Sequence, residues 1–283
     1  VQCEQFRQEV AGWLAANKPA DPGFLLPQSF MEVGSEQQLD FLREWQYKLW
    51  SAGYLGMAWP TQYGGQGAEP IFQSIADKEM ARAGVPIAFN VIGLGWAGPL
   101  INDLGTEEEK ARYLKGILTG DDIWCQGFSE PDHGSDLGSA QCRAVRDGDD
   151  YVINGSKIWT TMGNFAKYMI LLARTNPAAE RKYDGLSFFL APMTVAGIDP
   201  RPIRKLTGEY GFTQTYYLDS MNPASCPVWL MGQGLQTASE TLQDERGAVA
   251  GAAGGLSFVR LALAEMSDPP AEMRRRDPPP LHD

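Results

Sequence analysis

Residues 151–161 read Tyr151-Val152-Ile153-Asn154-Gly155-Ser156-Lys157-Ile158-Trp159-Thr160-Thr161. Two short runs rich in β-branched and aromatic residues flank an Asn-Gly pair, a strong short-range hairpin signal because both residues accept positive φ. The spacing predicts strands at 151–153 and 157–161, turned at Asn154-Gly155. On the second strand a period of two places Trp159 and Thr161 on one face. A large flat ring beside a hydroxyl suits a planar heterocycle that is stacked on its face and hydrogen-bonded at one edge.

Working outward, the same alternation predicts strands at 123–128, 140–146, 168–174 and 186–192, and a further one at 215–219, with Asp147-Gly148 as a second hairpin signal. That is enough for an antiparallel β-barrel or two-sheet domain of about a hundred residues, placed at 121–232. On the N-terminal side the period is helical. Phe6, Val10, Trp13 and Leu14 share a helix face, and Pro19 with Pro22-Gly23 ends that run. Ser35 with Gln38 forms a capping-box pattern ahead of Leu39, Leu42, Trp45 and Leu49. Pro70 suits the first turn of a third helix closed at Gly84, and Thr106 with Glu109 opens a fourth that ends at Gly120. Residues 1–120 therefore predict an all-α domain. From 233 the helical period returns through Leu235, Leu242, Val249, Leu256 and Val259, and the prolines beyond Met266 end it, so 233–283 reads as the start of a truncated C-terminal helical domain with an irregular tail.

The formal charge of −11 over 283 residues argues against nucleic acid, which needs a basic face to displace counterions. Cys3, Cys125, Cys142 and Cys226 form no close pair and His133 and His282 are the only histidines, so neither a metal site nor a disulfide framework is expected. No stretch approaches a membrane span.

The densest polar segment is Phe128-Ser129-Glu130-Pro131-Asp132-His133-Gly134-Ser135-Asp136. Alone it is a capped turn, since Ser, Asp and Gly turn the chain for local reasons. Taken with Gly105-Thr106-Glu107-Glu108, with Trp124-Cys125-Gln126-Gly127 ahead of it, with Asn154-Gly155-x-Lys157-x-Trp159-x-Thr161 after it, and with Trp59-Pro60 and Tyr63-Gly64-Gly65, it resembles the acyl-CoA dehydrogenase family. The likeness runs from about residue 35 to about 262, in the family's order of α domain, β domain and first helix of a second α domain. Asp132 and His133 depart from it, standing where the family has small residues.

The resemblance implies FAD as cofactor. Gln126, Phe128 and Ser129 would line the pyrimidine end of the flavin, Ser135 would reach the flavin phosphate and the pantetheine arm, Trp159 would cover the ring face opposite the substrate, and Thr161 would bond near N5. The implied reaction removes a proton from Cα of an acyl-CoA thioester and a hydride from Cβ, leaving trans-2-enoyl-CoA. Gln243-Asp244-Glu245-Arg246 matches one family placement of the base, with Glu245 as that base and Arg246 as the residue that binds substrate. Electron-transfer flavoprotein is the implied electron acceptor, in a homo- or hetero-oligomer in the bacterial cytoplasm, with the mitochondrial matrix as the other location. Two alternatives stay open: a non-catalytic partner subunit of a heteromeric dehydrogenase, and a same-fold acyl-CoA oxidase. Trp124-Cys125-Gln126-Gly127-Phe128 is similar to members that handle bulky CoA esters, including steroid side chains.

Overall fold

The computed structural model describes residues 2–27, 29–86, 88–206, 208–223 and 228–229. Five α-helices come first: α1 (Gln2–Asn17), α2 (Glu36–Ser51), α3 (Pro70–Ala83), α4 (Gly98–Leu104) and α5 (Glu107–Thr119). Their ends follow local chemistry. Ser35 Oγ accepts the Gln38 N–H at 3.2 Å, but the reciprocal bond of a capping box is not made, because Gln38 Oε1 accepts from Gly34 instead. At Thr106 both halves of the box form. Gly84 closes α3 in the left-handed region, at φ 57°. One helical stretch escapes sequence patterning: a π-helical turn at Gly93–Ala97 runs directly into α4. Its small residues admit close packing, since a Cβ on Gly98 would stand 2.1 Å from the Trp59 ring.

After α5 the chain becomes a sheet of β1 (Trp124–Gly127), β2 (Arg143–Asp147), β3 (Asp150–Thr161), β4 (Tyr168–Arg174), β5 (Leu186–Pro192), β6 (Ile198–Ile203), β7 (Phe212–Asn222) and β8 (Val228–Trp229). The order is β6-β7-β3-β2-β4-β5-β8, with β1 beside β4. Pairing is antiparallel except for β1 with β4 and β2 with β4, which are parallel, so the sheet is mixed where all-antiparallel pairing is the expectation. Among the described residues no pairing joins β6 to β8, and the strands follow one continuous path between them.

The hairpin expected at Asn154-Gly155 is absent, and β3 runs through it. Asn154 faces two residues of β7, Leu218 and Asp219, in a bulge held by Asn154 Nδ2 donating to Asp219 and Asp219 N–H donating back to Asn154 Oδ1, both at 3.0 Å. Gly155 has φ 140°, and a Cβ there would stand 2.8 Å from Cys142 Cα. The Asn-Gly pair serves a bulge and a close approach instead of a turn. The Asp147-Gly148 signal does mark a hairpin, with Asp147 paired to Asp150 and Gly148 at φ 63°. Strand β6 carries Pro200 and Pro202 and has no counterpart among the expected strands.

Every residue of β4 and β5 is buried, because alternate side chains enter two cores. Ile170, Leu172 and Phe188 pack with Trp124 of β1 and with Tyr113 and Ile117 of α5, while Met169, Leu171 and Phe189 pack with Cys125, Cys142 and Tyr217. Tyr113 stands edge-on to Trp124 and Tyr168, at 5.4 and 5.1 Å between centroids. Burying such aromatic side chains contributes roughly 2 kcal/mol each and fixes the helices on the sheet. Where α5 gives way to β1, buried Gln46 Nε2 donates to the carbonyls of Ile117 and Leu118, and Asn90 Nδ2 to those of Ile117 and Asp122. Cys125 and Cys142 are buried free thiols, the latter pushed up to about 11 by burial, and Cys3 is exposed. Among the described residues no helix is long and apolar enough to cross a membrane, and no group of acidic, His and Cys side chains could hold a metal ion. The region 233–283 lies outside the described residues.

Candidate functional site

A cavity of about 350 Å³ opens where β1, β3 and the start of β7 meet the first helical layer. Gln126 from β1 lines it, followed by Phe128 and Ser129, where the chain leaves the strand. Gly127 between them has no room for a side chain, since a Cβ would stand 2.3 Å from Met169 Sδ. Phe128 is buried, its ring edge-on to Phe188 at 5.9 Å.

Ile158, Trp159 and Thr161 of β3 line the same cavity. Simple alternation would send Ile158 away from Trp159. A bulge intervenes: Lys157 pairs with Thr215 and Thr160 with Thr213, so Ile158 and Trp159 together face Gln214. Trp159 adopts φ 59°, a conformation that costs a non-glycine residue about 1 kcal/mol. Lys157 and Thr160 are both fully buried, three residues apart, which records the same reset of the pleat. Trp159 and Thr161 thus reach one cavity through a bulge, not through an unbroken period of two. Trp159 is 58% exposed, and its ring stands at right angles to that of Phe212 with centroids 6.1 Å apart.

The remaining wall comes from positions that sequence patterning did not single out. The 3-10 turn Phe30–Glu32, capped by Ser29 Oγ, presents Phe30 and Met31, and the π-helical turn presents Trp96 just after Ile92. Such turns often sit at functional sites. Gly211 lies so close to the Met31 carbonyl that any side chain would clash, which brings Phe212 beside Met31.

The segment between β1 and β2 is tightly tied. Glu130 and His133 exchange backbone hydrogen bonds, leaving Pro131 and Asp132 exposed at the tip of the turn. Gly134 and Leu137 line the cavity; Ser135, exposed, follows Gly134 and is not among the lining residues. Asp136 is held by Ser139 at 2.6 Å and Lys182 at 2.7 Å, and its carboxyl is kept below the usual range by the Lys182 hydrogen bond first and Ser139 second. Arg174 donates to the carbonyls of Ala140, Gly138 and Lys182 and pins the returning leg. Glu245 and Arg246 lie outside the described residues.

Aromatic and apolar walls, the exposed Trp159, and the polar groups of Gln126, Ser129 and Thr161 suit a planar heterocycle with acceptors at its rim. The buried indole N–H of Trp96 on the same wall has no acceptor among the described residues, which fits a ligand that brings one. The residues present fit the isoalloxazine ring of FAD.

Two family descriptions match the chain: the acyl-CoA dehydrogenase N-terminal domain over 27–121 and the acyl-CoA dehydrogenase middle domain over 125–220. The chain is 36% identical over 245 residues to acyl-CoA dehydrogenase IpdE1 of Mycobacterium tuberculosis, covering 86% of this chain and 63% of that protein. It therefore spans less than two thirds of that relative's length. The solved structure of the Tcur3481-Tcur3483 steroid ACAD is similar with a TM-score of 0.75 and 33% identity, over 97% of this chain and 70% of that one. The ChsE4-ChsE5 complex from Mycobacterium tuberculosis is similar with a TM-score of 0.67 and 31% identity, over 86% of this chain and 60% of that one. This chain belongs to the acyl-CoA dehydrogenase family.

Proposed function

We propose that this chain is the flavin-binding part of an acyl-CoA dehydrogenase that converts an acyl-CoA thioester to its trans-2-enoyl-CoA. The observation that carries this reading is the convergence of Gln126, Phe128, Ser129, Trp159 and Thr161 on one cavity. FAD, when bound, supplies the ring that accepts the hydride from Cβ. Trp159 gives that ring a face to rest on, and Thr161, Ser129 and Gln126 orient it at its edges. Ser135, on the solvent side of Gly134, offers its hydroxyl to the flavin phosphate and the pantetheine arm. Ile92, Trp96, Phe30 and Met31 keep water from the reacting carbons.

Proton abstraction is assigned to Glu245, and binding of the CoA ester to Arg246, on the strength of the Gln243-Asp244-Glu245-Arg246 motif. A carboxylate desolvated against an apolar acyl group becomes basic enough to take the Cα proton. Electron-transfer flavoprotein takes the electrons onward. The similarity to a steroid ACAD, together with the Trp124-Cys125-Gln126-Gly127-Phe128 string, favours a bulky CoA ester as substrate. A second reading, a partner subunit that lends surface to an active paralogue, is supported by the similarity to the two-component ChsE4-ChsE5 complex.

Anaerobic titration of the full-length protein with straight-chain and steroid-derived CoA esters tests both. Loss of the yellow flavin absorbance supports the dehydrogenase, and bound flavin that no ester bleaches supports the partner subunit. Glu245→Gln should abolish bleaching with flavin retained; unchanged reduction removes Glu245 from the mechanism.

A further inference from the structure

Lys157 is fully buried, and a buried ammonium needs partners. It donates to Glu130 Oε1 at 2.8 Å and to the Phe128 carbonyl oxygen at 3.0 Å. Glu130, itself buried, accepts the backbone N–H groups of Gln141 at 2.6 Å and Cys142 at 2.9 Å. The next residue of β3, Ile158, donates its N–H to the Ser129 carbonyl at 2.9 Å. One ion pair thus fastens the point where the chain leaves β1 and the point where it returns toward β2 onto the same strand that carries Trp159 and Thr161. Stability alone is a poor reason for such a pair, because desolvating both charges offsets their attraction, and apolar replacements of similar volume are often neutral.

We propose that Lys157 and Glu130 are positioning residues of the flavin site: Lys157 holds the Phe128 carbonyl oxygen against β3, beside the Ser129 carbonyl that the Ile158 N–H holds, and the pair so keeps acceptors off the wall that meets the ring. The inference rests on the flavin reading of the cavity. A wall without free carbonyls tolerates the negative charge that a flavin gains on reduction, whereas a loosened wall can turn an acceptor toward it. Loss of the clamp therefore weakens binding of reduced flavin more than binding of the oxidised form.

The test compares the full-length protein with the charge-free double variant E130Q/K157M, measuring thermal midpoint and the affinities for oxidised and reduced FAD. The expected result is a folded protein with FAD affinity down about tenfold, and a further fall of severalfold for the reduced form, the size of one or two charge-assisted hydrogen bonds. Equal affinities in wild type and double variant overturn the proposal. If the double variant does not fold, K157R serves instead: it keeps charge and burial but replaces the ammonium at the Phe128 carbonyl with a planar group. A lowered ratio of reduced to oxidised affinity in K157R supports the clamp, and an unchanged ratio overturns it. A wild-type protein that takes up no FAD overturns the flavin reading itself.

Discussion

The carboxamide oxygen of Asn90 accepts the backbone N–H of Trp124 at 3.1 Å, which couples the helical layer to the first residue of β1. The amide nitrogen of the same side chain holds the carbonyls of Ile117 and Asp122, so one buried residue serves three backbone groups across the change from helix to sheet.

Asn90→Ala leaves the Trp124 N–H and the Asp122 carbonyl without their side-chain partner and the Ile117 carbonyl with Gln46 alone, and should destabilise the fold by about 3 kcal/mol. Urea denaturation followed by tryptophan fluorescence measures it. A loss below about 1 kcal/mol would mean that water or relaxation replaces the asparagine.

Trp159→Gly separates the site from the scaffold. Trp159 is 58% exposed and its φ is 59°, so glycine relieves strain while surrendering little packing. Stability should hold or rise by up to about 1 kcal/mol, while FAD affinity falls about tenfold as a stacking surface disappears. Trp124→Ala, at a fully buried ring, should instead cost about 4 kcal/mol. Undiminished FAD binding by the Trp159 variant would remove the indole from the site.

Glu130 makes a prediction about acid. Burial alone would raise its carboxyl, but the Lys157 charge, the Lys157 hydrogen bond and the N–H groups of Gln141 and Cys142 together hold it below its ordinary 4.5. The unfolded chain then binds the extra proton first as pH falls. Stability from this group is complete above about 4.5 and drains away as pH drops through the lower folded value. Wild type should lose stability more steeply than E130Q/K157M in that window. Parallel acid slopes would show that the pair contributes nothing to proton linkage.

Two glycines of the site region should behave oppositely. Gly155→Ala forces a Cβ to 2.8 Å from the Cys142 backbone at φ 140°, and should cost about 3 kcal/mol. Gly134→Ala meets nothing within 4 Å and should be neutral to within about 0.5 kcal/mol. Similar losses for both would refute the close approach of β3 to Cys142.

Much of this was legible from residues. Pro70, Gly84 and the Thr106–Glu109 box announce helix ends through their own backbone chemistry, and the change from helical to strand patterning after Gly120 announces β4 and β5 at their observed bounds. The π-helical turn was hidden by Gly93, Gly95, Gly98 and Pro99, which ordinarily punctuate loops. Strand β6 was hidden by its prolines, and Asn154-Gly155 misled because positive φ serves a bulge environment as readily as a turn. In the cavity, Gln126, Phe128, Ser129, Trp159 and Thr161 came from contiguous motifs, whereas Phe30, Met31, Trp96 and Phe212 meet only through tertiary packing, which no local pattern records.

Strand β6 ends the sheet among the described residues, with Pro200 and Pro202 two apart and so on the same side of the strand. Neither carries an N–H, and their places in the ladder with Thr215 and Thr213 put the missing donors on the outer flank. A stray strand approaching that flank finds carbonyls without the donors that would complete a ladder. The sheet therefore has a blunted rim on this side, one that resists edge-to-edge growth into aggregates at high concentrations of folded or partly folded chain.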